Sequence, residues 1–325
     1  MVTRRTFVKG VAATPILGSA LFAAPRLVGA QDGGTVTIGS KDFVEQFILG
    51  EMYALLLENA GLTVERSLNL AGTNVAHEAL VNGDIDLYPE YTGTGLEVVL
   101  GIPLADVSVA AATPAASAAT PAAGVTIDEV VYNTVKAGYQ EQFNLVWLDQ
   151  VPFNNTQALA MKQTVAQEKG ITTISQMVTQ AADLRITAPV DFAERQDGLL
   201  GLQRVYGQFE FGEVLGVAPG IKYQALLEDD AEVVLAFGTD GEIFGYDLVI
   251  LEDDLGLWPP YHVAPVVRQD ALDANPTLAD TLNQVAPLLT DEVMSGLNWQ
   301  VAGDEKQEPI DVARGFLEEN GLLTA

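Results

Sequence analysis

The sequence contains no cysteine and only two histidines in 325 residues. The absence of cysteine excludes disulfides, thiolate metal sites, a cysteine nucleophile and a lipid anchor on an N-terminal cysteine. The histidines, His77 and His262, are far apart in the chain and do not have the spacing of a metal-binding motif. No metal and no cofactor is therefore expected, and the protein is not predicted to be a lipoprotein.

Basic residues are scarce. The chain has 16 Lys and Arg against 44 Asp and Glu, which gives a formal net charge of −28. Residues 1–30 hold four of the cations and no acid, so their removal would change the net charge from −28 to −32. Such a charge argues against nucleic acid as a partner, because nucleic-acid binding needs clustered Lys and Arg. It is compatible with a cationic or zwitterionic ligand, and equally with an acidic surface that serves solubility or a salty or acidic habitat.

The common catalytic and nucleotide-binding motifs are also missing. The sequence has no G-x-S-x-G, no G-x-x-x-x-G-K-[ST] and no G-x-G-x-x-G. Carboxylates are abundant throughout so acidic a chain, and their number alone does not indicate a catalytic pair. No catalytic residue is predicted, and the protein is not expected to be an enzyme.

No apolar run is long enough to cross a membrane. The longest candidate, residues 11–24, has about 14 residues, against the roughly 20 that a spanning helix needs. It follows the pair Arg4-Arg5, with Phe and Lys at the offsets of a twin-arginine export signal, and small residues precede Gln31 at a cleavage position. We predict a cleaved twin-arginine signal peptide over residues 1–30, with an N-terminal membrane anchor as the alternative. The mature protein should be soluble and extracytoplasmic, in the periplasm or on the outer face of the membrane.

The pattern of apolar residues predicts an α/β fold. Over residues 35–95, strands alternate with helices as β-α-β-α-β, a unit that forms parallel sheets with right-handed crossovers. Ligands of open parallel sheets bind beyond the carboxyl ends of the strands. The loops at residues 40–43, 71–73 and 89–94 should therefore share one rim, with Tyr91 in the last of them. The same alternation recurs later in the chain, after an extended segment at residues 152–161.

Six ordered motifs give the chain a family resemblance. It resembles the substrate-binding proteins of osmoprotectant ABC transporters, which take glycine betaine, carnitine, choline and related quaternary amines. The resemblance covers the chain after residue 30 except for a low-complexity Ala/Thr/Pro insertion at residues 104–124. The motifs are GSKDF (39–43), YPEYTGT (88–94), FNNT (153–156), ERQDG (194–198), TDG (239–241), and LEDD (251–254) with PPY (259–261).

This resemblance implies the type II periplasmic-binding-protein fold. Two lobes, each a mostly parallel sheet flanked by helices, would be joined by two hinge strands and close over the ligand. Lobe 1 would comprise residues 31–152 and 246–325, and lobe 2 residues 153–245. The implied partners are a quaternary amine ligand and a transporter permease with its ATPase, and the protein would be a monomer.

The resemblance also implies a binding site. The family holds the quaternary ammonium in a box of aromatic rings and the ligand carboxylate with Lys, Arg and Thr. Ring faces suit this cation because a trimethylammonium group has no N–H to donate, and each contact contributes roughly 0.5–2 kcal/mol. The box positions fall on Tyr91, Gln157, Phe237 and Tyr261, with Asn155 at the edge, and the carboxylate positions fall on Lys41, Thr94 and Arg195.

Two of these positions depart from the family pattern. Gln157 and Phe237 each stand where relatives usually have tyrosine, so one wall of the box becomes polar. Without the resemblance, Phe237 would be read as a core residue, Tyr261 as a packed corner and Arg195 as a surface ion-pair partner. Phe43 is predicted to be structural, as is Tyr88.

Three other functions remain open at this point. The same fold could bind a more polar ligand, since Gln157 lowers the aromatic content of the box. It could also be an exported enzyme with the same cleft, or a sensory or scavenging module that works without a transporter.

Overall fold

The computed structural model describes residues 34–107, 126–190, 192–195, 198–217 and 221–323. The predicted signal peptide and most of the predicted insertion lie outside the described residues. Residues 104–107, which the insertion was predicted to include, form a helical turn, and Val107 is buried in the core.

The described chain contains two five-stranded mixed sheets, which confirms the predicted α/β class. In the first sheet, β1 pairs in parallel with β2 and β3, and β10 is antiparallel to β3 and β4. Its strands, in spatial order, are β2 (Val64–Ser67), β1 (Val36–Gly39), β3 (Leu87–Tyr91), β10 (Val263–Arg268) and β4 (Leu145–Trp147).

The second sheet has the same mixed character. β6 is parallel to β7 and β8, while β5 is antiparallel to β8 and β9. Its strands, in spatial order, are β7 (Glu213–Val217), β6 (Arg185–Pro189), β8 (Val233–Phe237), β5 (Gln157–Lys162) and β9 (Leu248–Ile250). The sequence pattern did not predict β7, because this edge strand has no fully buried residue to produce an apolar run.

Helices follow most of the strands. They are α1 (Val44–Asn59), α2 (Thr73–Asn82), α3 (Thr92–Thr94) with a π-helical continuation (Gly95–Val99), α4 (Ile127–Phe143), α5 (Gln163–Lys169), α6 (Ile174–Val178), α7 (Leu199–Tyr206), α8 (Lys222–Leu227), α9 (Gly241–Gly245), α10 (Gln269–Ala274), α11 (Leu278–Asn283), α12 (Asp291–Ala302) and α13 (Pro309–Glu319). Short 3₁₀ turns are formed by Ala181–Asp183, Phe192–Glu194 and Ala286–Leu288.

Local sequence explains several helix ends. Thr126 forms the cap of α4, where its hydroxyl accepts from the Glu129 N–H, and Thr290 accepts a hydrogen bond from the Val293 N–H as the cap of α12. Gly61, just after the end of α1, has a φ of 87°, a left-handed conformation that glycine adopts without strain. Helix α2 has no such cap, since Gly72 occupies the N-cap position and Thr73 is already the first helical residue.

Helix α6 begins with a reciprocal cap. Its N-cap residue is Thr173, whose hydroxyl accepts from the Gln176 N–H. The Gln176 side chain in turn accepts from the Thr173 N–H. This is the reciprocal Thr-x-x-Gln capping box, which satisfies two backbone donors rather than one.

Each sheet has a main apolar core, and a second, smaller apolar cluster also includes residues of that sheet. In the first, α1 is buried along almost its whole length and supplies Ile48, Leu49 and Met52 to a cluster that also contains β1 and β10. The second core gathers around Ile186 and Val233 of the second sheet. Burial of such side chains is the main favourable term in folding, about 25 cal/mol per Å² of apolar surface.

The chain returns from the second sheet later than predicted. The expected boundary at residue 246 does not match the strand pairing, because β9 pairs with β5 in the second sheet. Leu251 and Trp258 are also buried in the second core. Strand β10 of the first sheet begins only at Val263. Residues 259–262 therefore make this crossing, and a boundary at 246 would cut the second sheet.

The two segments that cross between the sheets and the turn after β8 are tied together by hydrogen bonds. The Asn155 N–H donates to the Tyr261 carbonyl at 3.2 Å, and the Gly238 N–H donates to the Thr156 carbonyl at 2.9 Å. Gly238 has no room for a side chain, since a Cβ there would lie 2.1 Å from the Asn154 carbonyl oxygen. These crossings meet in one place, beside the cavity described below.

Within the described residues, no helix combines the length and the apolar character that crossing a bilayer requires.

Candidate ligand-binding cleft

A cavity of about 850 Å³ lies where the two sheets and their crossings meet. This volume is in the usual range for small-molecule sites, roughly 300–1,000 Å³. All eight predicted site residues line it. The lining is Lys41, Asp42, Phe43, Ala71, Gly72, Thr73, Tyr91, Thr94, Asn155, Gln157, Arg195, Phe237, Asp240 and Tyr261.

Strand direction explains why these residues meet. In the first sheet, the loops after β1 and β2 and the end of β3 supply wall residues, as predicted for the carboxyl ends of parallel strands. In the second, β5 runs antiparallel to β8, so the first residue of β5 lies beside the last residue of β8. Those residues, Gln157 and Phe237, are Cα partners in the sheet and share one wall.

Tyr91 was expected in an exposed loop, and that expectation is wrong. It is the last residue of β3 and only 4% exposed, because β10 pairs with this strand as far as Tyr91 and Val263. Its hydroxyl donates to Oε1 of Glu45 at 2.6 Å. The ring therefore has a fixed position at the cavity wall.

Phe237 shows the opposite pattern. It ends β8, whose other residues are all buried, yet Phe237 itself is 42% exposed. The reading of Phe237 as a core residue is therefore wrong. An aromatic ring exposed inside a concave site is available to a ligand.

Tyr261 fits both readings made from the sequence. It packs against the first core and also lines the cavity. Its backbone N–H donates to the Asn154 side-chain oxygen at 2.7 Å. Gly93 lies under the ring, where a Cβ would come within 2.8 Å of ring carbon Cε1. The missing side chain at Gly93 allows Tyr261 this place.

Lys41 lines the cavity with its charge already paired. Its Nζ lies 2.6 Å from Oε1 of Glu90 and donates to Thr73 Oγ1 at 3.3 Å. It also lies 4.8 Å from the centroid of the Tyr91 ring, within cation–π range. Lys41 is 5% exposed and Glu90 is fully buried. The sequence did not reveal this ion pair, because 48 residues separate the partners along the chain.

Six wall residues were not among the predicted site residues, and two of them, Phe43 and Asp240, are notable for their contacts. Phe43, expected to be structural, is 39% exposed and stacks on Tyr91 with 6.0 Å between ring centroids and 29° between ring planes. Asp240 lines the wall beside Phe237 and accepts from Lys222 Nζ at 2.8 Å. Phe43 lies in the GSKDF motif and Asp240 in the TDG motif, so the motifs contained the signal.

Glu45 lies behind the cavity wall as a buried carboxylate. Besides Tyr91, it accepts hydrogen bonds from Asn155 Nδ2 at 3.0 Å, from Asn298 Nδ2 at 3.1 Å and from the Thr239 hydroxyl. Burial raises the pKa of Glu45 above its ordinary value, and these hydrogen bonds offset part of that rise. Among the described residues, Asn155 Oδ1 is buried without a hydrogen-bond partner.

A model of the substrate-binding domain of ABC-type glycine betaine transport systems matches residues 34–319. The match covers both sheets and every residue of the cavity wall. The chain belongs to this family. Its members are substrate-binding proteins of osmoprotectant ABC transporters, and the protein is a binding protein rather than an enzyme.

Individual relatives agree with that membership. The binding protein is 32% identical over 301 residues to the carnitine transport binding protein OpuCC of Listeria monocytogenes, covering 91% of this chain and 90% of the relative. It is also 32% identical over 308 residues to the ergothioneine transport permease/ergothioneine binding protein EgtU of Helicobacter pylori. That alignment covers 94% of this chain, which spans only about half (51%) of EgtU.

Solved structures place the binding protein in the same fold. A crystal structure described as a glycine betaine/carnitine/choline ABC transporter matches it with a TM-score of 0.77 and 27% identity, over 88% of this chain and 99% of that chain. The fold is the predicted two-lobed type II periplasmic-binding-protein fold. The protein is therefore a substrate-binding protein of the ABC transport family described by this model.

Proposed function

We propose that the binding protein captures a quaternary ammonium solute such as glycine betaine in the cleft and delivers it to the permease of an ABC importer. The observation that carries this proposal is the convergence of all eight predicted residues on one cavity wall. They come from both sheets and from the crossings between them. A ligand held by all of them would touch both lobes at once.

At the cation end, the proposed box is formed by Tyr91, Gln157, Phe237 and Tyr261, with Asn155 at its edge. The aromatic members offer ring faces to a trimethylammonium group. Because this group has no N–H to donate in a hydrogen bond, ring faces are its most suitable partners. Phe43 stacks on Tyr91 and adds a further ring to the same wall.

At the carboxylate end, we propose Arg195 and Thr94. A guanidinium group matches a carboxylate with two parallel N–H donors, and a hydroxyl adds a third. Arg195 belongs to the second lobe and Thr94 to the first, so a bound carboxylate would join the lobes. Lys41 was also expected here, but Glu90 already pairs with the side-chain ammonium group of Lys41 and would compete with a ligand carboxylate for it.

The remaining features follow from this role. The two lobes would close about the crossings at residues 153–156 and 259–262, a hinge motion typical of periplasmic binding proteins. The mature protein would be an extracytoplasmic monomer, exported by the twin-arginine route. Delivery would require contact with the permease, which works with its ATPase.

A calorimetric screen of the mature protein tests the ligand class. Glycine betaine, carnitine and choline are the expected ligands, and free amino acids and polyamines are the comparison set. Tyr91→Ala should weaken every quaternary amine, whereas Tyr246→Ala, which removes a tyrosine packed on Trp299 outside the cavity wall, should leave affinity unchanged. Binding of polyamines or amino acids with no response to any quaternary amine would overturn the proposal.

A more polar ligand is the second candidate. Gln157 places an amide in the box, and Asn155 Oδ1 is a buried acceptor without a partner among the described residues. A ligand with an N–H or O–H group would satisfy that acceptor, and leaving it unsatisfied costs about 1–3 kcal/mol. If this candidate is right, the unmodified protein will bind glycine betaine weakly. Asn155→Leu will then lower the affinity for the tightest ligand of the screen and will not raise the affinity for glycine betaine.

A further inference from the structure

Glu45, in the first turn of α1, carries a buried carboxylate just outside the cavity wall. The residue is 2% exposed and does not itself line the cavity. Its Oε1 accepts from the Tyr91 hydroxyl at 2.6 Å and from Asn155 Nδ2 at 3.0 Å. Both donors belong to wall residues. The carboxylate is therefore separated from the cavity by a single layer of side chains.

The hydrogen bonds of Glu45 suit an ionised carboxylate. Its Oε2 accepts from Asn298 Nδ2 at 3.1 Å and from the Thr239 hydroxyl. Each carboxylate oxygen thus has two partners, and one of them is an asparagine amide nitrogen, which donates hydrogen bonds and cannot accept them. Donors that converge on a carboxyl group in this way favour its charged form.

No cation lies beside this charge. Within the described ranges, no lysine, arginine or histidine forms an ion pair with Glu45. The other carboxylate that contacts Tyr91 is Glu90, and it is already paired, because Lys41 Nζ lies 2.6 Å from its Oε1. A buried charge without a partner of opposite sign destabilises a folded protein. A cation bound in the neighbouring cavity would compensate it.

Tyr91 gives the charge a route to a ligand. Its ring lines the cavity while its hydroxyl donates to Glu45. A phenol that donates to a carboxylate shifts electron density from its O–H bond into the ring, and the negative ring face is what attracts a cation. The carboxylate adds a direct Coulomb attraction, which is strong in a site shielded from water.

We propose that Glu45 supplies the negative charge that the ligand's quaternary ammonium group senses, and that it thereby selects a cation over an uncharged group of the same shape. The inference rests on the proposed function of the cleft. Glu45 does not line the cavity, so it acts through Tyr91 as a positioning residue. The carboxylate end of the site is not altered by this role.

A purely structural role is the alternative. The four donors, Tyr91, Asn155, Thr239 and Asn298, come from β3, the first crossing, the turn after β8 and α12. The carboxylate would then serve only to join these segments. That role needs the shape of the side chain and its hydrogen bonds, whereas the proposed role needs its charge. Shape and charge can be changed separately.

Glu45→Gln keeps the shape of the side chain and removes its charge. Glycine betaine should bind to this variant about tenfold or more weakly than to the unmodified protein. The comparison ligand is tert-butylacetate, which has the shape and the carboxylate of glycine betaine but a carbon atom in place of the ammonium nitrogen. Its affinity should stay the same or increase, because it has no cation for Glu45 to attract. Calorimetry with both ligands is the measurement.

Glu45→Asp makes the opposite change. It keeps the charge and shortens the side chain by one methylene group, which disturbs the geometry of the hydrogen bonds. Glycine betaine should bind to Glu45→Asp more tightly than to Glu45→Gln. The reverse order would show that shape matters more than charge, and the inference would fail. This comparison uses glycine betaine alone, so it decides the question even if tert-butylacetate binds too weakly to measure.

Two further outcomes would overturn the inference. Unchanged affinity for glycine betaine in Glu45→Gln would show that the cation does not sense this charge. Equal losses for glycine betaine and tert-butylacetate would show that the substitution only damages the wall. If Glu45→Gln does not fold, Tyr91→Phe takes its place, because it keeps the ring and removes the hydroxyl that contacts Glu45. It should weaken glycine betaine and not tert-butylacetate, and a loss for both or for neither would be equally decisive against the proposed role.

Glu51 provides a matched control on the same helix. It is 8% exposed, forms an ion pair with Arg66 at 2.7 Å and does not line the cavity. Glu51→Gln makes the same chemical change and should leave the affinity for both ligands as in the unmodified protein. If the unmodified protein binds no quaternary amine, the proposed function fails. If it binds glycine betaine and Glu45→Gln binds it equally well, only the role of Glu45 fails.

Discussion

The hydroxyl of Tyr91 donates a 2.6 Å hydrogen bond to Oε1 of Glu45, a carboxylate in the first turn of α1. The other carboxylate oxygen accepts from Asn298 of α12 and from Thr239 after β8. Asn155, in the first crossing between the sheets, shares Oε1 with Tyr91. Glu45 therefore connects a ring of the cavity wall to three separate parts of the chain through uncharged donors.

The raised pKa of Glu45 predicts a pH dependence of stability. Because the folded protein binds the proton more tightly than the unfolded chain, the stabilisation from this group is present below its ordinary pKa of 4.5 and is lost as pH rises through the folded value. Glu45→Gln removes this titration. The free energy of unfolding of the unmodified protein, minus that of Glu45→Gln, should fall as pH rises above about 4.5, by at most about 1.4 kcal/mol per pH unit.

Urea unfolding of both proteins across this pH window is the measurement. Glu319→Gln, on the exposed end of α13, controls for the loss of one carboxylate. If the free energy of unfolding of the unmodified protein, minus that of Glu45→Gln, increases with pH, the assignment of a raised pKa to Glu45 is contradicted.

Gln157→Tyr should tighten the binding of glycine betaine by about tenfold. The new ring would lie beside Phe237, its Cα partner across the two strands, and would replace an amide that faces the proposed cation. Gln157→Leu removes the amide without adding a ring and separates the two contributions. Weaker betaine binding by a folded Gln157→Tyr protein would mean that the cation does not lie at this wall.

Arg195→Ala should weaken glycine betaine strongly and choline little. The reason is that choline has no carboxylate for the guanidinium group to bind. Titration of both ligands into the variant and the unmodified protein gives the loss of affinity for glycine betaine and for choline. Equal losses for the two ligands would show that Arg195 does not form the carboxylate end of the site.

Ligand binding should draw the two lobes together. The wall residues come from both sheets, so a ligand that contacts all of them favours a closed arrangement. Solution X-ray scattering should give a smaller radius of gyration with saturating ligand than without it. A radius that does not change on saturation would exclude closure as the binding mechanism.

Changing Arg4 and Arg5 together to Lys should leave the precursor in the cytoplasm. The prediction follows from the paired arginines of the proposed export signal. Fractionation of cells that produce the two precursors is the measurement, and the unmodified signal is the control. Normal export of the variant would show that another export route is used.

Local sequence determined the elements whose signals lie within a few residues. The start of α4 at Thr126, the end of α1 at Gly61 and the β-α-β-α-β order of the first lobe depend on capping, backbone conformation and apolar periodicity. Six of the eight candidate site residues lie within ordered motifs of the family, and the other two, Gln157 and Phe237, lie one and two residues outside such a motif. The elements that local sequence missed, such as β7, have few buried residues to mark them.

Tertiary structure alone decided the state of the site residues. Tyr91 lies in a strand because β10, more than 170 residues away, pairs with it, and Phe237 is exposed because the cavity lies at the end of β8. The pairing of Lys41 with Glu90, and of Lys222 with Asp240, joins side chains that are 49 and 18 positions apart. A sequence pattern records which residues are present, whereas ion pairing and burial depend on distances that exist only when the sheets have assembled.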